Sequence, residues 1–205
     1  EEDVRRVAAM REALGPEALL MVDANRGFNA ESAIRLGRRL EPYDIFWFEE
    51  PVPPEDVEGY LEVKRALRTL IAGGECEYTR WGFERLLSRR AVDVVQPETC
   101  AAGGLTECLK IASLAELYGI RYVPHYFGAG VSLAAMLQLV ASLPRPVSSE
   151  EVFFPQVEWD TSVNPLRDEL LKEPLSPREG VIEVPQAPGL GIEVRREVLE
   201  RYGVG

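Results

Sequence analysis

Cysteine is scarce in this sequence of 205 residues: there are three, Cys76, Cys100 and Cys108. Their number is odd and no two share Cys-x-x-Cys spacing. This excludes a disulfide framework and a paired-cysteine zinc pattern, and points to reduced thiols in a cytoplasmic protein. Long apolar runs are missing as well; none approaches the ~18 residues of a membrane span. Positive charge is in deficit, with 23 Lys and Arg against 34 Asp and Glu and a net charge of −11. Nucleic acid and anionic membrane are therefore poor partners, because both attract basic patches. A small anionic substrate stays admissible, since a bound metal reverses the local field. Gly-x-Gly-x-x-Gly and the Walker loop do not occur, so nothing supports a nucleotide site. The opening Glu1-Glu2-Asp3-Val4-Arg5-Arg6 lacks the basic start and apolar core of a signal peptide. It already lies inside a helical pattern, which suggests a piece of a longer protein.

What is present is a regular alternation. Residues 3–14, 30–41, 55–67, 79–88, 103–118 and 131–143 carry apolar residues at helical spacing. Short apolar runs lie between them at 18–22, 45–48, 70–72, 91–95 and 120–123. Five strands, each followed by a helix, predict a parallel sheet with crossover helices, either doubly wound or closed as a barrel. After residue 145 the pattern changes to a proline-punctuated, loop-rich segment, with short strands expected at 181–184 and 192–194. Two segments are expected: 1–145, a partial (β/α) barrel, and 146–205, a tail that completes it.

Three strands end in acids. Leu20-Met21-Val22 runs into Asp23, Phe46-Trp47-Phe48 into Glu49, and Ile71-Ala72-Gly73-Gly74 into Glu75. In a parallel sheet the roughly one-unit spacing returns each acid to the same edge, on adjacent strands ~4.8 Å apart. Three carboxylates so gathered repel or protonate unless a cation joins them, and oxygen ligands with open positions suit Mg²⁺. A single acid at a strand end is ordinary helix-capping chemistry; three in phase are not. Two further strand ends carry Glu98 and His125, the only histidine. Histidine titrates near neutrality, and Glu98 can orient its ring and raise its pKa.

Val22-Asp23-Ala24-Asn25, Phe48-Glu49-Glu50-Pro51, Gly74-Glu75, Gln96-Pro97-Glu98, Gly103-Gly104 and Pro124-His125, taken in order, resemble the enolase superfamily, nearest its mandelate racemase-like subgroup. Pro188-Gly189-Leu190-Gly191-Ile192 is similar to that family's closing segment. The resemblance implies an α/β parallel (β/α) barrel lacking here its first strands, their lysine pair and the amino-terminal capping domain. It implies Mg²⁺ held by Asp23, Glu49 and Glu75, with Glu50 behind them. His125 and Glu98 match the catalytic dyad, although the family usually has Asp at the position of Glu98. Asn25 is expected to touch substrate, and Glu158 to match a late glutamate at the substrate carboxylate.

The implied reaction is Mg²⁺-dependent abstraction of the proton α to a carboxylate through a metal-stabilised enediolate. Dehydration of an acid sugar is the leading expectation, and racemisation or epimerisation of a 2-hydroxy acid the alternative. A non-catalytic relative or inactive fragment is the alternative of another class. A small-molecule carboxylate substrate and a homo-oligomeric state complete the expectations.

Overall fold

The computed structural model describes residues 1–144 and 156–203. Its elements run α1 (Glu2–Leu14), β1 (Leu20–Asp23), α2 (Ala30–Leu40), β2 (Ile45–Glu49), α3 (Val57–Ala66), β3 (Leu70–Gly73) and α4 (Thr79–Ser88). They continue with β4 (Val94–Val95), α5 (Gly104–Tyr118), β5 (Arg121–Tyr122), α6 (Gly130–Ser142), α7 (Pro165–Asp168) and α8 (Arg196–Tyr202). The five strands form one sheet in the order β1-β2-β3-β4-β5, every pair parallel. Strand order follows chain order without reversal. A doubly wound sheet turns back at a switch point; a barrel wall does not.

The apolar strands are buried on both faces, as parallel strands require. Toward the helices, Phe48, Ile71 and Val95 join Phe83, Leu86 and Ile111 in the main core. On the opposite face Trp47, Ala72, Val94 and Val123 pack together, flanked by Met21, Phe46 and Leu70. Phe48 and Ile71 are fully buried and paired in register. Each such side chain contributes roughly 1.5–3 kcal/mol relative to an exposed position.

Local signals explain where the helices begin and end. Asn29 caps α2 by accepting from the Ser32 backbone N–H at 2.9 Å, and Asp56 caps α3 by accepting from Gly59 N–H at 2.9 Å. Gly119 ends α5 in the left-handed region at φ 67°. Gly37, a poor helix former by propensity, faces Leu67 so closely that a Cβ there would meet Leu67 Cδ1 at 2.3 Å. Close packing of α2 on the end of α3 explains its presence.

Strand β4 covers only Val94–Val95, shorter than the expected 91–95, because Ala91 N–H turns back to Leu86 O at the end of α4. The expected strands at 181–184 and 192–194 are reduced to single bridges, Arg178 with Val181 and Leu171 with Val194. Val181 is exposed, so no burial rewards a ladder there. The tail also carries α7, whose four residues leave too short a period to read, and α8, whose seven residues bury only Val198. The tail is nonetheless anchored: Leu170 and Leu171 are buried, and Gly130 of α6 admits Leu171 where a Cβ would sit 2.8 Å from its Cγ. The expected boundary at 145/146, with Pro146 and Pro155, lies outside the described residues. Among the described residues no helix is long and apolar enough to cross a membrane.

Candidate active site

The five strands deliver their chemistry to one edge. Asp23 and Glu49 are the last residues of β1 and β2 and are partners in register. Glu75 follows β3 by two residues, across Gly74 at φ 127°. A Cβ on Gly74 would meet Phe83 Cε1 at 2.9 Å and Gln96 N at 3.3 Å, so the turn that aims Glu75 needs glycine. Glu98 and His125 each follow their strand, β4 and β5, by three residues. Glu158 arrives from the tail. Sequence-distant groups thus meet at the carboxyl edge of the parallel sheet.

His125 is at the centre of the acids. Its Nδ1 lies 3.0 Å from Glu98 Oε2, and its Nε2 lies 3.1 Å from Glu75 Oε2 and 3.9 Å from Glu158 Oε2. Burial pulls the imidazole pKa down, but the hydrogen bond it donates to Glu98 and the charges of Glu158 and Glu75 outweigh it and raise the pKa to about 9. Glu98 is secured on its other side: Oε1 accepts from Cys100 N–H at 3.0 Å, and Oε2 lies 3.5 Å from Phe127 N. Burial alone would raise its pKa; the His125 and Cys100 hydrogen bonds bring it below the ordinary carboxylate value. The extra methylene of Glu over Asp is therefore accommodated, and contact with His125 is made. Glu158 Oε2 accepts from Tyr126 N–H at 2.7 Å, and burial raises its pKa.

Glu49 and Glu50, at the end of β2, are shifted the other way from Glu98. Burial first, then the charge of Asp23, raises Glu49 to about 7, even though Gln96 and the Trp47 indole both hydrogen-bond to it. The Trp47 Nε1–H donates to Glu49 Oε2 at 3.0 Å, a task beyond the core packing its neighbours suggest. Glu50 is 0% exposed, and neither of its carboxylate oxygens has a hydrogen-bond partner. Burial and Glu75 raise it to about 7 as well. Arg26 Nε faces Glu50 Oε2 at 3.1 Å without hydrogen-bond alignment, and Arg26 Nη2 lies 3.8 Å from Glu75 Oε1.

The three expected ligands share this edge but do not close into one group. Among the described residues, the group whose ligating atoms all fall within 4.8 Å of one another is Glu50, Glu75 and Cys76. The reason is local: Asp23 Oδ1 accepts from Asn25 N–H at 2.7 Å, Glu49 Oε2 is held by Trp47, and Glu75 Oε2 is drawn to His125. Asn25, expected to touch substrate, lies at the same edge with its Oδ1 accepting from Arg26 Nη2 at 2.8 Å. Arg26, Trp47 and Gln96 escaped the reading of the sequence. For Arg26 a signal existed: a cation three residues after an acid at a strand end.

The donor chemistry of this edge fits a hard divalent cation. Asp23, Glu49 and Glu75 offer carboxylate oxygens, and Glu49 and Glu50 have pKa values raised first by burial and then by neighbouring carboxylates, which a positive charge would relieve.

Parallel strands in sequential order, with carboxylates and a glutamate–histidine pair at their carboxyl ends, define a barrel-type protein built to handle charge and protons at that edge. The chain belongs to the family described as enolase C-terminal domain-like, whose profile matches residues 1–198. It is 46% identical over 203 residues to D-galactarolactone cycloisomerase from Agrobacterium fabrum, covering 98% of this chain and 53% of that protein. The crystal structure of 3,6-anhydro-D-galactonate cycloisomerase from Zobellia galactanivorans superposes with a TM-score of 0.90 at 43% identity, over 98% of this chain and 55% of that one. A variant of L-talarate/galactarate dehydratase liganded with Mg and L-glucarate gives a TM-score of 0.83 at 35% identity, over 97% and 46% of the two chains. This chain spans about half the length of the relatives it matches. The solved neighbours carry the barrel of the enolase superfamily.

Proposed function

We propose that this chain contributes the carboxyl-terminal part of a Mg²⁺-dependent catalytic barrel that removes the proton α to the carboxylate of a small acid sugar and expels a β-oxygen, most simply as water. Asp23, Glu49 and Glu75 would hold the ion, with Glu50 buried behind them. When bound, Mg²⁺ would supply positive charge to the substrate carboxylate as its α-proton leaves. The single observation that carries the reading is His125, held at Nδ1 by Glu98 while Nε2 faces the carboxylates.

His125 gives or takes the proton at Nε2. Glu98 fixes the ring and keeps Nδ1 protonated, as the third member of a triad does. In an elimination, the imidazolium form can also hand a proton to the departing oxygen. Glu158, 3.9 Å from Nε2 and tied to Tyr126 N–H, sits to orient the substrate on the same side.

One observation favours a second form of the same chemistry. The 46% and 43% identical relatives are named cycloisomerases. In such a reaction the β-oxygen expelled is that of a ring or lactone: its bond to the β-carbon breaks, it stays attached through its other bond as a hydroxyl or carboxylate oxygen, and no water is lost. Racemisation of a 2-hydroxy acid needs a second base on the opposite face of the substrate, and no residue described here supplies one.

The test is turnover by the protein that carries this chain, with a panel of acid sugars, lactones and anhydro sugar acids. Elimination yields a 2-keto acid that semicarbazide traps; racemisation changes optical rotation alone. His125→Asn should lower turnover by on the order of 10²–10⁴-fold while the protein stays folded. Undiminished turnover in that variant would overturn the assignment.

A further inference from the structure

We propose that Glu50, Glu75 and Cys76 form a second cation site, specific for thiophilic divalent ions such as Co²⁺, Zn²⁺ and Cd²⁺, beside the Mg²⁺ set. The ligating atoms of the three residues lie within 4.8 Å of one another. Three atoms at that bound lie roughly 2.8 Å from their common centre, against about 2.0–2.3 Å for bonded ligands, so each would move inward by roughly half an ångström or a little more. The independent observation is Glu50. Its side chain is wholly buried, and Oε1 has no hydrogen-bond donor. A buried carboxylate oxygen left unpaired is costly, and few groups can repay that cost except a cation.

Cys76 decides which cation. A thiolate ligand favours Zn²⁺, Co²⁺ and Cd²⁺ over Mg²⁺, which prefers oxygen alone. The protein already keeps a positive charge at this spot. Arg26 Nε is 3.1 Å from Glu50 Oε2, Nη2 is 3.8 Å from Glu75 Oε1, and Nη1 donates to Cys76 Sγ at 2.8 Å. Arg26 stands on a turn at φ 64° with its side chain 37% exposed, so the guanidinium can swing into solvent. An entering ion displaces that single charge, and the Cys76 thiol releases its proton to the solvent. Because Glu75 belongs to both donor sets, a thiophilic ion withdraws one carboxylate from the Mg²⁺ set; this clause alone rests on the proposed function.

The test is optical titration of the reduced protein with Co²⁺, following the near-ultraviolet thiolate-to-cobalt charge-transfer band. A saturable band is expected. It should vanish in Cys76→Ser and persist in Cys100→Ser and Cys108→Ser. Arg26→Met removes the competing charge and should tighten Co²⁺ binding about tenfold. Absence of the band in both the parent protein and Arg26→Met, or its survival in Cys76→Ser, would overturn the site. Unchanged affinity in Arg26→Met would overturn the displacement. Loss of acid-sugar turnover as an activity leaves the cobalt band untouched, so the two readings fail separately.

Discussion

Glu98 sets the smallest scale at which the proposed function can be tested. Its carboxylate spans from Cys100 N–H to His125 Nδ1, and that reach depends on side-chain length. Glu98→Asp keeps the charge but withdraws it by one methylene. Displacements near 1 Å in such an arrangement cost on the order of 10²-fold, so turnover should fall by about that factor with little change in stability. Glu98→Gln keeps the length and loses the charge, and should lower the pKa of His125; histidine proton chemical shifts against pH measure it. The opposite case is Gly74, where Gly74→Ala drives a Cβ into Phe83 and Gln96 at a positive φ. That variant should lose stability and, because Glu75 follows directly, weaken Mg²⁺ binding in a calorimetric titration.

At the scale of elements, the outer helices are joined by ion pairs that respond to pH. Arg80, in the first turn of α4, donates to Glu107 of α5 through Nε at 2.7 Å, Nη2 at 2.9 Å and its backbone N–H at 2.9 Å. These bonds hold the Glu107 carboxyl at about 2, below its ordinary 4.5. A carboxylate whose pKa is lowered by folding contributes stability that is present above about 4.5 and is lost as pH falls toward about 2. The stability difference between the parent protein and Glu107→Gln should therefore shrink across that interval, as read by denaturant unfolding at each pH. Capping is the other element-scale term. Asn29→Ala removes the acceptor for Ser32 N–H and should cost about 1 kcal/mol, measured the same way.

At the scale of the whole molecule, five strands place residues from 23 to 125 on one edge, and the tail adds Glu158 to it. If the carboxylates at that edge hold Mg²⁺, the ion stabilises the fold by mass action. At 100 times its dissociation constant it should add about 2.7 kcal/mol, removable by a chelator. Glu49→Gln should abolish that increment, and an increment that survives would remove Glu49 from the ligand set. The alternation of strands with helices and the in-phase acids are legible in the sequence, because helix and strand periods and a repeating unit length are local quantities; the sequential strand order that separates a barrel wall from a doubly wound sheet is not. The shortness of β4, the bridges in place of tail strands, and the four-residue α7 are not legible either, since elements of two to four residues have no period to detect; the seven-residue α8 spans only two turns, with Val198 its single buried residue.

The chain order of apolar runs and terminal acids was enough to establish a parallel architecture, the edge where chemistry gathers, and the pairing of Glu98 with His125 as an expectation. These follow from periodicity and from the cost of crowding like charges. Packing alone decided which side chains touch. Glu50 buried against Arg26 and beside Cys76 depends on distances between strands and loops far apart in the chain, and even the near neighbours Trp47 with Glu49 and Asn25 with Arg26 meet only through the direction of their side chains. Such contacts are set by side-chain direction and turn geometry in three dimensions, and a linear string of residues carries neither.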